Sequence, residues 1–181
     1  FPKDCHLNPA RFLATLQAEC VKLGVEFSWN SEVTGWRIES GRIQAVLTSR
    51  GDFSGDEVVL CGGSWSAMVA RGLGLKIPMQ AGKGYSLTLS KPRQLLPICA
   101  ILTEARVAVT PMDGALRVGG TMEIAGLNED INPVRVQGII KAVPKYYPEF
   151  RAEDFAGIPP WRGLRPCSPD GLPYIGRTGR F

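Results

Sequence analysis

Only two stretches of this sequence carry a sustained helical repeat, one near each end. Most of the chain between them breaks into short strand-like runs separated by turn residues. In the first stretch Phe12, Leu16, Cys20 and Leu23 recur at steps of four and three and form one apolar stripe. Asn8 suits the N-cap, Pro9 the first turn and Gly24 the stop. This predicts a helix packed on a sheet, followed by a short strand over Val25–Ser28. In the second stretch Asn132-Pro133 opens a helix with Val136, Ile139, Ile140 and Val143 inward. Pro144 stands where that helix should continue, so a kink or an early stop is expected there.

Between the helices, Val33–Ile38 and Arg42–Thr48 read as a hairpin turning at Glu39-Ser40-Gly41. Asp56–Leu60 reads as a strand running into Cys61-Gly62-Gly63-Ser64-Trp65-Ser66, with Ser64 capping a short helix over Trp65–Arg71 that Gly72 closes. Gly84–Leu89, Leu95–Thr103, Arg106–Pro111 and Leu116–Glu123 read as further strands, with Met112-Asp113-Gly114 as a turn. Trp161–Phe181, rich in Gly and Pro, is expected to be mostly turns. There is no regular βαβ alternation. The fold class is therefore α+β, with a mostly antiparallel sheet in the second half.

Composition removes several classes of function. At 44% hydrophobic and 21% charged residues the chain matches globular proteins rather than disordered ones. No apolar run approaches the ~18 residues that a membrane-crossing helix needs. The net charge of +4 is spread along the chain, and even its densest basic stretch, Arg162, Arg165, Arg177 and Arg180, lacks the tight aromatic-interleaved cluster of a nucleic-acid binder. His6 is the single histidine. That argues against a His-rich metal site, and against a Ser-His-Asp triad unless His6 is itself the base; an exposed His6 is expected. Cys5, Cys20, Cys61, Cys99 and Cys167 form no CxxC pair and are expected to be reduced, buried thiols of a cytosolic protein. Phe1–His6 carries both charge signs and does not read as a signal peptide. The chain starts without Met, as an excised or processed piece would.

The sequence holds no complete phosphate-binding loop. Gly72-x-Gly74 and Gly82-x-Gly84 each lack the third glycine of GxGxxG, and Gly82-Lys83-Gly84 lacks the spacing and Ser/Thr of a P-loop. Two segments still stand out. At residues 61–66 the glycines would let backbone N–H groups approach a ligand, with a helix start beyond them that favours an anion; a plain strand-to-helix turn reads equally from the residues. At Trp161-Arg162-Gly163-Leu164-Arg165-Pro166, Arg165 is held between an apolar residue and a proline, which suits a bidentate grip on a carboxylate as well as a surface arginine beside the Ser168-Pro169-Asp170-Gly171 turn.

Taken together and in order, these segments resemble the FAD-dependent D-amino acid oxidase superfamily, above all its bacterial D-amino acid dehydrogenase branch and the glycine oxidase-like enzymes. The likeness includes the Asn8-Pro9 helix, Val58–Ser66, Lys83–Thr88, Arg117–Gly126, Trp161–Pro166, Pro169-Asp170-Gly171 and Ile175–Thr178. The family's opening GxGxxG unit, its ribose-binding acid and its closing glycine-rich segment are not in this sequence. What is present resembles an internal piece of such an enzyme.

The resemblance implies three parts: residues 1–78 as the distal, α/β-like part of the FAD domain, 79–160 as the substrate-binding domain, and 161–181 as a return segment. It implies FAD as cofactor, with Val33, Gly62, Gly63, Trp65, Asp170 and Gly171 along it. It implies Arg165 on the substrate carboxylate, with Tyr85, Thr121 and Met122 lining the pocket. No side chain is assigned as a catalytic acid or base, and no metal is implied. The implied reaction oxidises the C–N bond of a small amino acid to a 2-oxo acid and ammonia. A D-amino acid is favoured, but glycine, sarcosine or a 2-hydroxy acid equally presents a carboxylate. Oxygen, a quinone or another carrier would accept the electrons, and a quinone would place the complete enzyme peripherally at the inner face of the cytoplasmic membrane. The isolated chain is expected to be inactive and to self-associate. Two other readings stay open: a non-catalytic ligand-binding or scaffold domain that keeps the fold without cofactor, and an unrelated basic domain binding acidic partners.

Overall fold

Residues 5–181 are described in the computed structural model, and the chain divides into two compact units. Residues up to Val25 and Gly82–Leu164 form unit 1; Glu26–Ala81 and Arg165–Phe181 form unit 2. The opening helix groups with residues 82–164.

Unit 1 holds the hydrophobic core. Its sheet runs in the order β5-β6-β7-β4-β8, where β4 is Gln80–Leu89, β5 Ala100–Leu102, β6 Val107–Met112, β7 Ala115–Ile124 and β8 Trp161–Cys167. The pairs β4/β7, β5/β6 and β6/β7 are antiparallel, as expected for this half of the chain. Side chains alternate across a strand. Tyr85, Leu87 and Leu89 of β4 and Leu116 and Val118 of β7 accordingly share one face, packed with Phe150 and Phe155 and with Val136, Ile139, Ile140 and Val143 of α3 (Pro133–Tyr146). Asn132 caps α3 by accepting from the backbone N–H groups of Val134 and Arg135. The helix runs through Pro144 and stops at Tyr146, so the proline falls in the last turn instead of ending the helix early.

The first helix, α1 (Pro9–Lys22), is capped as its sequence predicts: the Asn8 side chain accepts from Ala10 and Arg11, and Gly24 takes φ +86° just beyond the end. It does not bury its stripe, however. None of its residues is buried, and Phe12 and Leu16 are 54% and 49% exposed. Its tie to the rest of unit 1 is polar. Asp113, in the β6–β7 turn, accepts from the Asn8 amide at 2.7 Å and pairs with Arg11 at 3.2 Å.

Unit 2 carries the expected hairpin, β1 (Val33–Glu39) and β2 (Arg42–Thr48), turned by Ser40 and Gly41 at φ +51° and +74°. A short third strand, β3 (Gly51–Phe53), adds to β2. Helix α2 (Ser66–Arg71) packs on β1: the Trp36 indole N–H donates to the Val69 carbonyl at 3.2 Å, and a Cβ at Gly72 would lie 2.9 Å from the same ring.

Several expectations are corrected. Neither Val25–Ser28 nor Asp56–Leu60 is a strand, and Leu95–Thr103 shrinks to β5. An apolar β-prone run becomes a strand only where a neighbour completes its hydrogen-bond ladder, and Val59 is 81% exposed. Ser64 does not cap α2; a 3-10 turn over Gly63–Trp65 precedes the helix, whose N-cap is Trp65 without a side-chain bond. Trp161–Cys167 is a strand, not turns. No cysteine is buried: Cys5 and Cys61 are exposed, and the other three are half-buried. His6 is exposed, as expected.

Candidate functional site

The cofactor candidates Val33, Gly62, Gly63, Trp65, Asp170 and Gly171 all fall in unit 2. Gly63 has φ +53°, a conformation glycine adopts freely, and an added Cβ there would meet nothing within 4 Å. The backbone at Gly63 is thus open to a ligand on a segment flanked by the partly exposed Trp65 ring. The hairpin-turn glycines Gly41 and Gly114 leave the same open space, so this feature is shared by a plain turn and by a cofactor edge. Asp170 and Gly171 form the expected turn, in which the Gly171 N–H donates to the Ser168 carbonyl and Asp170 accepts from the Leu172 N–H at 3.1 Å. The Asp170 carboxylate is therefore engaged in holding its own turn.

Arg165 lies on β8, exposed, and no acidic side chain pairs with its guanidinium among the described residues. By the division of the chain it belongs to unit 2, whereas Tyr85, Thr121 and Met122 belong to unit 1.

A β-bulge separates those three residues. Lys83 pairs with Glu123 and Tyr85 with Gly120, so Gly84 alone faces both Thr121 and Met122. Thr121 takes φ +59°, rare for a β-branched residue. It is held there by its N–H, which donates to the Arg106 carbonyl at 3.2 Å, and by its Oγ1, which accepts from Arg135 at 3.0 Å. The extra residue inverts the alternation beyond it. Glu123 turns to the face of Tyr85, and Met122 turns to the opposite face, 53% exposed. Tyr85 lies in the core, 2% exposed, with its hydroxyl donating to Glu123 at 2.6 Å and accepting from the Asn132 N–H. The bulge thus keeps Tyr85 and Met122 from lining a common surface.

Glu123 is held below the usual carboxylate range, first by the Tyr85 hydroxyl and then by the Asn132 amide and the nearby charges of Lys83 and Arg135. Lys83 is buried, and its ammonium donates to Asn128 Oδ1 at 3.1 Å and to the Asp130 carbonyl at 2.7 Å. It pins the loop between β7 and α3, which Arg162 also grips through Glu129. Sequence reading missed Glu123, Arg135 and this use of Lys83, because all three act through partners distant in the chain. A cavity of about 490 Å³ in unit 1, lined by residues such as Val136, Ile140 and Phe155, includes none of the candidates. No group of acidic, histidine or cysteine side chains suited to a metal occurs among the described residues, and no helix is long and apolar enough to cross a membrane.

Comparison with known proteins decides the family. The family model described as FAD dependent oxidoreductase matches residues 1–181. The chain belongs to this FAD dependent oxidoreductase family. It is 34% identical over 179 residues to a D-amino acid dehydrogenase of Sinorhizobium medicae, covering 98% of the chain and 42% of that protein. It therefore spans about two fifths of the length of the curated relatives it matches. In fold it is similar to glycine oxidase from Geobacillus kaustophilus, with a TM-score of 0.77, 22% identity and coverage of 92% of this chain and 44% of that one. It is also similar to the glycerol-3-phosphate dehydrogenase from Bacillus halodurans solved with FAD, with a TM-score of 0.74, 19% identity and coverage of 87% and 35%. The mixed α+β architecture of this family is the one the sequence predicts.

Proposed function

We propose that the protein to which these 181 residues belong is an FAD-dependent amino-acid dehydrogenase or oxidase. It oxidises the C–N bond of a small amino acid, a D-amino acid by its relatives, to a 2-oxo acid and ammonia. The observation that carries this reading is a match to the family model along the whole chain, joined with an exposed Arg165 whose guanidinium pairs with no acid among the described residues.

FAD would be held in this chain by Gly62, Gly63 and Trp65, with Val33 and the Asp170-Gly171 turn contributing backbone. When bound, it supplies the acceptor for the hydride that leaves the substrate Cα. The chain's own part is to bind and orient. The Arg165 guanidinium takes the α-carboxylate through two parallel N–H bonds, and Pro166 after it limits the backbone's freedom. Fixing the carboxylate fixes the direction of the Cα–H bond, which is the geometric demand of the step. Water then hydrolyses the imine product. A proton-transferring side chain is not required, which is compatible with a single histidine. Residues 82–164 serve as the substrate domain and residues 26–81 as the distal part of the FAD domain. Oxygen, a quinone or another carrier would accept the electrons, and a quinone would place the whole enzyme at the inner face of the cytoplasmic membrane.

The test is Arg165→Ala in the full-length enzyme. Loss of a charge-assisted bidentate contact lowers kcat/KM for the amino acid by about 10²–10³. Normal kcat/KM in this variant, with FAD content unchanged, would remove Arg165 from the site.

A further inference from the structure

On the sheet face of unit 1 opposite the core, one arginine is braced in place by residues of that unit alone. Arg117 sits between Leu116 and Val118, both fully buried, so alternation sends its side chain to the other face. Its Nε donates to Ser86 Oγ on β4 at 3.1 Å, and its Cζ lies 5.0 Å from the centre of the Trp161 ring on β8. Small residues make room for both contacts. A Cβ at Gly119 would meet Ser86 Cβ at 3.3 Å, and a Cβ at Gly163 would collide with the Trp161 ring. Gly163 thus lets the indole lie along its own strand, where it supports the guanidinium.

The bracing uses Nε and the π face. Among the described residues no acid pairs with Arg117, and no hydrogen bond engages either of its Nη groups. Thr88 on β4 and Thr110 on β6 stand directly opposite Arg117 in the two ladders, so all three side chains share this face. In the adjacent row Ser86 and Ala108 stand opposite Gly119, which makes a floor of small residues. Trp161, 57% exposed, adds an apolar wall beside the guanidinium.

The chemistry of this face selects its ligand. A planar guanidinium fixed by stacking and one hydrogen bond, with its Nη donors unspent, is a preorganised receptor for the two oxygens of a carboxylate. Two threonine hydroxyls flank it for the remaining lone pairs. One unpaired cation balances one negative charge, whereas a phosphate dianion would leave charge uncompensated. The small floor and the indole wall suit an apolar body. We propose that this face of unit 1 is a binding site for a small monocarboxylic acid with an apolar or aromatic tail. The carboxylate takes the Arg117 Nη groups, and the tail lies against Trp161. Every residue of the site belongs to unit 1, and the site asks nothing of Arg165. It therefore stands independently of the amino-acid oxidoreductase reading.

The experiment is a calorimetric titration of the full-length protein with phenylacetate, with phenylacetamide as the uncharged isostere. Arg165→Ala is present throughout, so that the carboxylate contact proposed at Arg165 is silent. Phenylacetate binds saturably and the amide does not. Arg117→Gln abolishes the binding. Arg117→Lys, which keeps the charge but loses the planar fork, and Trp161→Leu, which removes the wall, each weaken it by about tenfold or more. Should Arg117→Gln fail to fold, the amide comparison and Trp161→Leu still decide the point. Absence of phenylacetate binding, equal binding of the amide, or binding that survives Arg117→Gln overturns the proposal. The amino-acid oxidoreductase reading is tested by turnover and this site by binding alone, so the failure of one is distinguishable from the failure of the other.

Discussion

Tyr85 and Glu123 meet across a 2.6 Å hydrogen bond only because a single extra residue, Thr121, turns Glu123 onto the tyrosine's face of the sheet. The bond holds Glu123 below its ordinary pKa. A carboxylate whose folded pKa is depressed contributes stability above its unfolded pKa, and loses it as pH falls through the folded value. Asp154, held low first by Arg93 and then by the Arg151 N–H, acts in the same direction. Stability to urea should therefore decline as pH falls below the ordinary carboxylate range. Tyr85→Phe should be less stable than wild type at pH 7, and the gap should narrow toward pH 3. A gap independent of pH would show that the hydroxyl does not act through Glu123.

Two glycines on neighbouring elements should answer alanine in opposite ways. At Gly120 a Cβ would lie 2.8 Å from the Arg106 carbonyl and 3.0 Å from Val107, so Gly120→Ala forces the bulge or the β6 end to move, at a cost of about 1–3 kcal/mol. Gly138 sits inside α3 with nothing within 4 Å of its added Cβ, so Gly138→Ala should stabilise by about 0.5–1 kcal/mol. Urea unfolding of the two variants checks both signs. Equal effects would mean that local space does not govern this strand–helix layer.

The contrast between the two helices explains how much of this fold is legible in sequence. α3 buries the residues its periodicity selects, because Val136, Ile139, Ile140 and Val143 meet the sheet face of the same unit. α1 has an equally clear stripe and buries none of it. Periodicity marks the face that prefers to be covered; it carries no information about what covers it. The same holds for Val58-Val59-Leu60, which reads as a strand but has no ladder partner among the described residues. Turns and caps are local and are legible at Asn8, Ser40-Gly41 and Asn132, though not at Ser64. The bulge at Thr121 and the Arg117–Trp161 stack depend on residues far apart in the chain, and no local signal announces them.

The open stripe of α1 gives a prediction about the chain alone. Phe12, Leu13 and Leu16 present adjacent apolar surface that a second copy of the helix can cover by isologous contact. The 181-residue chain should self-associate in the micromolar range by light scattering. Phe12→Glu with Leu16→Glu should restore a monomer without lowering thermal stability, since neither side chain is buried. A wild-type chain that stays monomeric at these concentrations would remove α1 as an association surface.

Cofactor retention separates what these residues contribute from what the rest of an FAD enzyme must add. Gly63 has open space beside it, but these 181 residues contain no complete GxGxxG, the unit that places a pyrophosphate on a helix N-terminus. Without it the adenosine-side contacts have little to anchor them. The purified 181-residue chain mixed with FAD should therefore lose its visible flavin bands on desalting, while the full-length protein keeps them. Gly63→Val in the full-length protein should weaken retention, because a β-branched residue resists φ near +53° and its side chain would fill the space open at Gly63. Flavin bands that survive desalting on the short chain would show that residues 26–81 and 165–181 hold FAD without the pyrophosphate loop. Unaltered retention in Gly63→Val would move the cofactor contact away from this turn.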